Sequence, residues 1–244
     1  MDSHGIRKFA LVIPTLNEAQ NLPTLFDRVR QAMSEVEVPF EIIVVDDDSQ
    51  DGTADVVREF AESDPRIRLL VRRGQRGLAG AVIHGWEHTD ADLLGVIDAD
   101  LQHPPELLPA LIVSINHGHD LAVASRYANG NGTSGWNAAR YAISRLGTLV
   151  SMPLQRPGIR VKDPLSGYFV VRRECIDGIN LQPTGFKILL EILVRARLKS
   201  VVEVPFHFGL RVAGKSKADV KVALEYFALL SKLSREAFFR PGSR

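Results

Sequence analysis

"FALVIPTLNEAQNLPTLFDRVRQAMSEVEVPFEIIVVD", residues 9–46, contains a complete strand–helix–strand unit. Phe9 to Pro14 is a short apolar run without charge, as a strand buried on both faces requires. After it, Leu22, Leu25, Phe26, Val29 and Met33 recur at helical spacing and form one apolar stripe. Glu41 to Asp46 then repeats the strand signal. Two apolar strands joined by an amphipathic helix predict a parallel pair, because parallel neighbours need a connection long enough to return along the sheet.

The same alternation continues outward. "DGTADVVREFAE" (51–62) predicts a helix and "RIRLLV" (66–71) a strand. Helix, strand, helix and strand follow at Ala79 to Glu87, Ala91 to Ile97, Glu106 to Asn116 and Asp120 to Ser125. The expectation is an α/β fold, a mostly parallel central sheet with helices on both faces. "ANGNGTSG" (128–135) has the Gly and Asn content of a loop.

Composition excludes several function classes. The 244 residues carry 30 basic and 29 acidic side chains, so no global field draws the chain to nucleic acid. Cys175 is the single cysteine, which rules out an internal disulfide framework or a Cys-rich metal site. No run of about 18 apolar residues occurs, and "MDSHGIRKFA" has no signal-peptide core. The expected location is cytoplasmic.

Ligands of open α/β sheets bind beyond the carboxyl ends of the strands, and the polar clusters fall there. "PTLNE", "DDDSQDGT", "RRGQRG", "DADLQ" and "SRY" follow successive strands. Each has a plain alternative, such as turn chemistry in "SQDG" or helix capping by Asp51 or Thr53. Arg72, Arg73 and Arg76 read as ordinary solvated charge.

"DADLQ" carries the sharpest chemistry. Asp98, Asp100 and Gln102 offer two carboxylates and a carboxamide, hard oxygen donors suited to Mg2+ or Mn2+. Such an ion keeps positions open for substrate phosphates, which points to a nucleoside diphosphate. Neither G-x-G-x-x-G after the first strand nor a P-loop is present, against a dinucleotide oxidoreductase or a P-loop NTPase. The alternative for the two aspartates is capping of the helix after Pro104 and Pro105.

At these residues the chain resembles a known family. "VIPTLNEAQNL", "VVDDDSQDGT", "GLAGAVIHG", "DADLQHPPE" and "SRY" resemble the family 2 inverting glycosyltransferases of the GT-A fold. "GWNAARYAISR", "DPLSGYFVVRR", "GFKILLEIL" and "RVAGKSK" look like their polyprenyl-phosphate, or dolichol-phosphate, mannosyltransferase branch. The resemblance runs roughly from Lys8 to Phe238. It implies transfer of a hexose, mannose from GDP-mannose first, to a polyprenyl phosphate with a divalent metal ion. Glucose from a UDP donor, a soluble acceptor, and a non-catalytic nucleotide-sugar binding subunit are the alternatives.

The resemblance also implies roles. Pro14, Leu16, Glu18, Val45, Asp47 and Ala99 face the donor nucleotide, Asp98 and Asp100 the diphosphate, with Asp100 and Gln102 as metal ligands. Arg126, Arg140 and Lys187 attract the acceptor phosphate; Arg211, Ser216 and Lys217 close over the donor. The expected catalytic group is Asp98, Asp100, Arg211 and Lys217. Asp48 departs from the pattern, where Asn or Gly is more usual. A catalytic domain would span 1–214 and a basic amphipathic helix 215–244.

An anionic acceptor phosphate needs little or no general base, which fits the scattered histidines. For a hydroxyl acceptor Asp163 of "DPLSG" is the base candidate, its alternative being a turn before a strand. Val220, Leu224, Phe227, Leu230 and Leu233 form an apolar stripe near Lys221, Lys232, Arg235 and Arg240, a basic amphipathic helix suited to a membrane interface; the alternative is a first half packed on the core, with Phe238, Phe239 and Arg240 as the bilayer contact. The partners expected are a nucleotide-sugar donor, a polyprenyl phosphate, a membrane surface at its cytoplasmic face and a membrane partner subunit, with no nucleic acid.

Overall fold

The computed structural model describes residues 8–129, 138–182, 187–207 and 229–234. Its centre is one seven-stranded sheet. β1 (Phe9–Thr15), β2 (Phe40–Asp46), β3 (Ile67–Val71), β4 (Leu93–Val96), β5 (Leu121–Ser125), β6 (Phe169–Arg172) and β7 (Val201–Pro205) lie in the order β3-β2-β1-β4-β6-β5-β7. β1 pairs in parallel with β2 and with β4, and β5 in parallel with β7. β6 runs antiparallel to both its neighbours.

The helices are α1 (Leu22–Met33), α2 (Thr53–Ser63), α3 (Leu78–Glu87), α4 (Leu108–Asn116), α5 (Ala138–Ser151) and α6 (Ile188–Arg195). They cover both faces, as the period-2 alternation of the strands requires. Phe9, Leu11, Ile13, Ile42 and Val44 pack with the apolar stripes of α1, α2 and α4. Ala10, Val12, Ile43 and Val45 pack with α3 and α6 on the other face. Gly85 lets α3 lie close: a β-carbon there would meet both Val12 methyls at 2.8 Å.

The elements expected as far as Ser125 are all present, within about two residues at their ends. β6 follows "DPLSG", the strand anticipated after that turn, but its antiparallel insertion between β4 and β5 has no local sequence signal. β7 was not anticipated.

β6 also locks the two helical layers to the sheet. Arg172 donates from Nη2 to the Ile115 carbonyl (2.6 Å) and from Nε to that of His119 (3.2 Å), at the end of α4. Arg173 donates to the carbonyls of Ala91 (2.6 Å), Thr89 (2.8 Å) and Trp86 (3.3 Å), at the end of α3. Cations on last-turn carbonyls satisfy orphan acceptors and favour the helix dipole. Adjacent arginines thus serve opposite layers.

The switch in strand order lies between β1 and β4, so a crevice opens past their carboxyl ends. The β1–β4 ladder ends at Val12 and Val96; Pro14 sits beyond it and interrupts no pairing on that side.

Candidate active site

The loops after β1 and β2 are sewn into one wall of the crevice. Asn17 N–H donates to Ser49 Oγ (2.7 Å), and Asn17 Oδ1 accepts from Gln50 N–H (3.0 Å). Glu18 N–H donates to Thr53 Oγ1 (3.0 Å), and Ala19 N–H to Asp51 Oδ2 (3.1 Å). Asp51 Oδ1 also accepts from Thr53 N–H (3.1 Å), a turn leading into α2, whose N-cap is Gly52 without a side-chain cap bond, so the turn alternative for "SQDG" holds and the capping one does not. Asp48 has φ +59°, a left-handed conformation open to Gly, Asn and Asp and costly for most other residues. The departure noted in sequence therefore keeps the turn.

Asp47 and Arg72 correct the surface reading of the latter. Arg72 is 6% exposed, and its Nε lies 2.9 Å from Asp47 Oδ1. Gly77 N–H donates to Asp47 Oδ2 at 2.8 Å. Burial raises the Asp47 pKa, against the pull of Gly77 N–H and Arg72. Arg73 and Arg76 are exposed as expected. Pro14, Leu16 and Glu18 are half-buried on the wall. Val45 is fully buried with its side chain against α3, and Ala99 is in the core; both reach the crevice only by main chain.

Facing this wall is the loop after β4. Leu101 has φ +60°, a strained conformation for a bulky residue, and its side chain is buried in the core. That reversal turns the chain between Asp100 and Gln102, whose N–H donates to Asp100 Oδ1 at 3.2 Å. Gln102 is buried; Asp98 and Asp100 are half-buried. Among the described residues no three His, Cys, Asp or Glu side chains form a cage able to hold a metal ion alone. The hard oxygens of "DADLQ" fit an ion of the magnesium or manganese type that completes its shell with substrate phosphate.

Asp98 stands at the junction of this acidic loop with a cationic pocket. Gly167 lies directly beneath it, so close that a β-carbon would fall 2.5 Å from Asp98 Oδ2. Arg126, at the end of β5, donates to the buried Asp163 through Nε (2.7 Å) and Nη2 (2.6 Å). Burial disfavours the guanidinium charge, but the hydrogen bonds and charge of Asp163 outweigh it and raise the Arg126 pKa. Lys187, at the start of α6, donates to the Leu165 carbonyl at 3.1 Å. Desolvation, aided by Arg126, lowers its pKa to about 8, while Asp98 and Asp163 pull the other way.

His103, which had no assigned part in sequence, is 4% exposed beneath the acidic loop. Its ring meets Tyr168 edge-on at 5.7 Å and Phe206 at 5.5 Å, and Nδ1 lies 3.6 Å from Asp98 Oδ2. Desolvation lowers its pKa to about 4, so it is neutral at pH 7. Sequence also missed Gly167, the Leu165 carbonyl and Glu203, although "DPLSG" stood among the quoted motifs. Arg140 lies in the first turn of α5, its side chain outside what is described; Arg211, Ser216 and Lys217 lie outside the described residues. So do Val220, Lys221, Leu224, Phe227, Arg235, Phe238, Phe239 and Arg240.

Residues 10–179 match the family described as Glycosyl transferase family 2. The chain is similar to the dolichol-phosphate mannosyltransferase of Pyrococcus furiosus, 42% identical over 229 residues, covering 93% of this chain and 64% of that protein. Against the dolichol-phosphate mannosyltransferase of Saccharomyces cerevisiae it is 35% identical over 236 residues, covering 93% of this chain and 86% of that one. Among solved structures it resembles glucosyl-3-phosphoglycerate synthase from Mycobacterium tuberculosis in complex with Mn2+, UDP-glucose and phosphoglyceric acid. That match has a TM-score of 0.70 at 19% identity and covers 98% of this chain and 82% of the other. The shared fold is the GT-A fold of nucleotide-sugar transferases.

Proposed function

The chain belongs to glycosyl transferase family 2, and from that premise we propose that it moves mannose from GDP-mannose to the phosphate of a polyprenyl phosphate such as dolichyl phosphate, with inversion. The observation that carries this reading is the position of Asp98: it lies between a hard-oxygen loop suited to a metal-bound diphosphate and a buried pocket holding Arg126 and Lys187. The names of the Pyrococcus and yeast relatives support the same substrates.

In this reaction an anionic oxygen of the acceptor phosphate attacks C1 of the mannosyl unit. The bond from C1 to the β-phosphate oxygen breaks, and its electron pair leaves with GDP. A divalent ion held by Asp100 and Gln102 would neutralise charge growing on the leaving diphosphate. Arg126 and Lys187 orient the acceptor phosphate; the sequence resemblance adds Arg140 to the acceptor and Arg211 and Lys217 to the donor, with no placement from the described residues. The wall of Pro14, Leu16, Glu18 and Asp47 holds the nucleoside. A phosphate dianion is already the nucleophile, so no side chain has to remove a proton.

A lipid acceptor calls for a membrane surface, and α5 supplies one candidate contact. Tyr141, Leu146, Leu149 and Val150 are exposed along it. The helix is tied to the site by Ser144 and Arg145, three and four residues past Tyr141: Ser144 and Tyr127 share a hydrogen bond of 2.7 Å, and the Arg145 guanidinium lies 4.9 Å from the Tyr127 ring. Residues 229–234, within the C-terminal stretch expected at the bilayer, are helical and pack Leu230 and Leu233 with Leu190 and Val194 of α6. Lys232 donates there to Gln182 Oε1 at 2.9 Å. We therefore assign residues 229–234 to packing on the catalytic domain, and the bilayer contact to α5. Among the described residues no helix is long and apolar enough to cross a membrane. The proposed attachment is peripheral, at the cytoplasmic face, beside a membrane partner subunit.

The test is transfer of labelled sugar from GDP-mannose and from UDP-glucose to a short polyprenyl phosphate and to the matching polyprenol, with Mg2+, Mn2+ or EDTA. Mannosylation of the phosphate alone, dependent on a divalent ion, is the expected result. Equal use of the polyprenol would overturn it.

A further inference from the structure

We propose that Asp163 is a positioning residue for the acceptor phosphate: it grips one edge of the Arg126 guanidinium and so fixes which edge meets the phosphate. This deepens the proposed function and rests on it.

The geometry is that of a clamp. Asp163 Oδ2 accepts from Arg126 Nε at 2.7 Å and from Arg126 backbone N–H at 3.0 Å, while Oδ1 accepts from Nη2 at 2.6 Å. A planar guanidinium held at two nitrogens by a planar carboxylate has one orientation. Nη1 then belongs to the edge that Asp163 does not take. Asp163 is itself fixed from behind: its N–H donates to Glu203 Oε1 (3.1 Å), and Lys162 N–H donates to Glu203 Oε2 (2.9 Å). The anchor comes from β7, which pairs with β5, the strand that ends at Arg126.

The same short loop seats the other charged groups of the pocket. The Leu165 carbonyl accepts from Lys187, and Gly167 leaves room for the Asp98 carboxylate. Residues 163–167 therefore act as a template for the acceptor side. This corrects the expectation of Asp163 as general base. A base must reach the proton it removes, whereas Asp163 is 0% exposed with both oxygens committed to a cation. The charges of Asp163 and Arg126 offset each other, so Arg126 contributes direction to phosphate binding and Lys187 contributes net charge.

The experiment compares wild type, Asp163→Asn, Arg126→Gln and the double variant in steady-state transfer to a short polyprenyl phosphate. Acceptor KM, kcat and the pH profile of kcat/KM are measured, with GDP-mannose affinity as a control. Asp163→Asn should raise acceptor KM at least tenfold, with a smaller change in kcat, unchanged donor affinity and no lost acidic limb in the pH profile. Should Asp163→Asn fail to fold because Arg126 is left buried without its counter-charge, the double variant still decides. Compared at about pH 6, where Lys187 keeps its charge with or without Asp163, it should match Arg126→Gln in both KM and kcat, because there Asp163 acts through Arg126. A double variant much slower in kcat than Arg126→Gln, or Asp163→Asn with unchanged KM and a lost acidic limb, would overturn the positioning role. A wild-type protein inert toward polyprenyl phosphate would instead overturn the proposed function, and this inference with it.

Discussion

Gly167 and Asp98 are in contact across the floor of the active site, with the Asp98 carboxylate filling the space where a side chain at 167 would begin. Gly167→Ala should therefore push Asp98 aside while leaving β6 paired. A displacement of about 1 Å at a reacting centre can cost on the order of 100-fold in rate. The expected result is a loss of that size in kcat with an unchanged circular-dichroism spectrum. Wild-type turnover by Gly167→Ala would show that Asp98 does not need its present position.

The metal assignment predicts a graded response. Asp100→Ala should abolish transfer and leave the thermal midpoint close to wild type, because the half-buried carboxylate adds little to the core. Gln102→Ala should be milder, since water can replace one neutral ligand. Isothermal titration with Mn2+ in the presence of GDP should lose its binding signal in Asp100→Ala. Full wild-type activity in EDTA would sink the assignment.

Lys187 predicts the alkaline limb of the pH profile. Its ammonium is present below its pKa of about 8 and is lost above it, so kcat/KM for the acceptor should fall as pH rises through that value. The acceptor phosphate, with a second pKa of about 6, should set the acidic limb. Lys187→Arg, whose charge persists past pH 12, should remove the alkaline limb even if the rate is lower. An alkaline limb that stays in place in this variant would assign it to another group.

Arg173 predicts a stability effect separable from chemistry. Its three bonds to carbonyls near the end of α3 lie at the opposite end of the sheet from the crevice. Arg173→Ala should destabilise the fold by roughly 2–3 kcal/mol, since hydrogen bonds from a charged donor to buried carbonyls are among the stronger ones. Urea unfolding should show the loss, and kcat at 25 °C should be retained.

Asp64 predicts the acid response. It accepts hydrogen bonds from Arg66 (2.8 Å) and Arg30 (2.9 Å), joining the turn between α2 and β3 to α1. The Arg66 side chain is the main cause that lowers its pKa from 3.8 to about 2. A depressed carboxylate pKa contributes stability that is present above the unfolded value and lost as pH falls through the folded one. Wild type should thus be more stable than Asp64→Asn at pH 7, and the gap should close between about pH 4 and pH 2 in denaturant titrations.

The sequence by itself determined the elements as far as β5 and the polar loops past the carboxyl ends of those strands. Buried parallel strands read as apolar runs, α1 shows its stripe at Leu22, Leu25, Phe26, Val29 and Met33, and polar loops follow each strand; these are local properties of the chain. The hard-oxygen character of the loop after β4 is legible for the same reason, because Asp98, Asp100 and Gln102 lie within one short stretch. Tertiary structure decided whatever joins distant segments. The antiparallel β6 between β4 and β5, the Arg126–Asp163 clamp across 37 positions and Arg72 drawn inward by Asp47 have no local periodicity to announce them. By residue type Asp163 is the base candidate for a hydroxyl acceptor, or a turn residue; its burial against Arg126 makes it an orienting group. A side chain's chemistry is written in the sequence, but its solvation and its partner are set by what the fold packs around it.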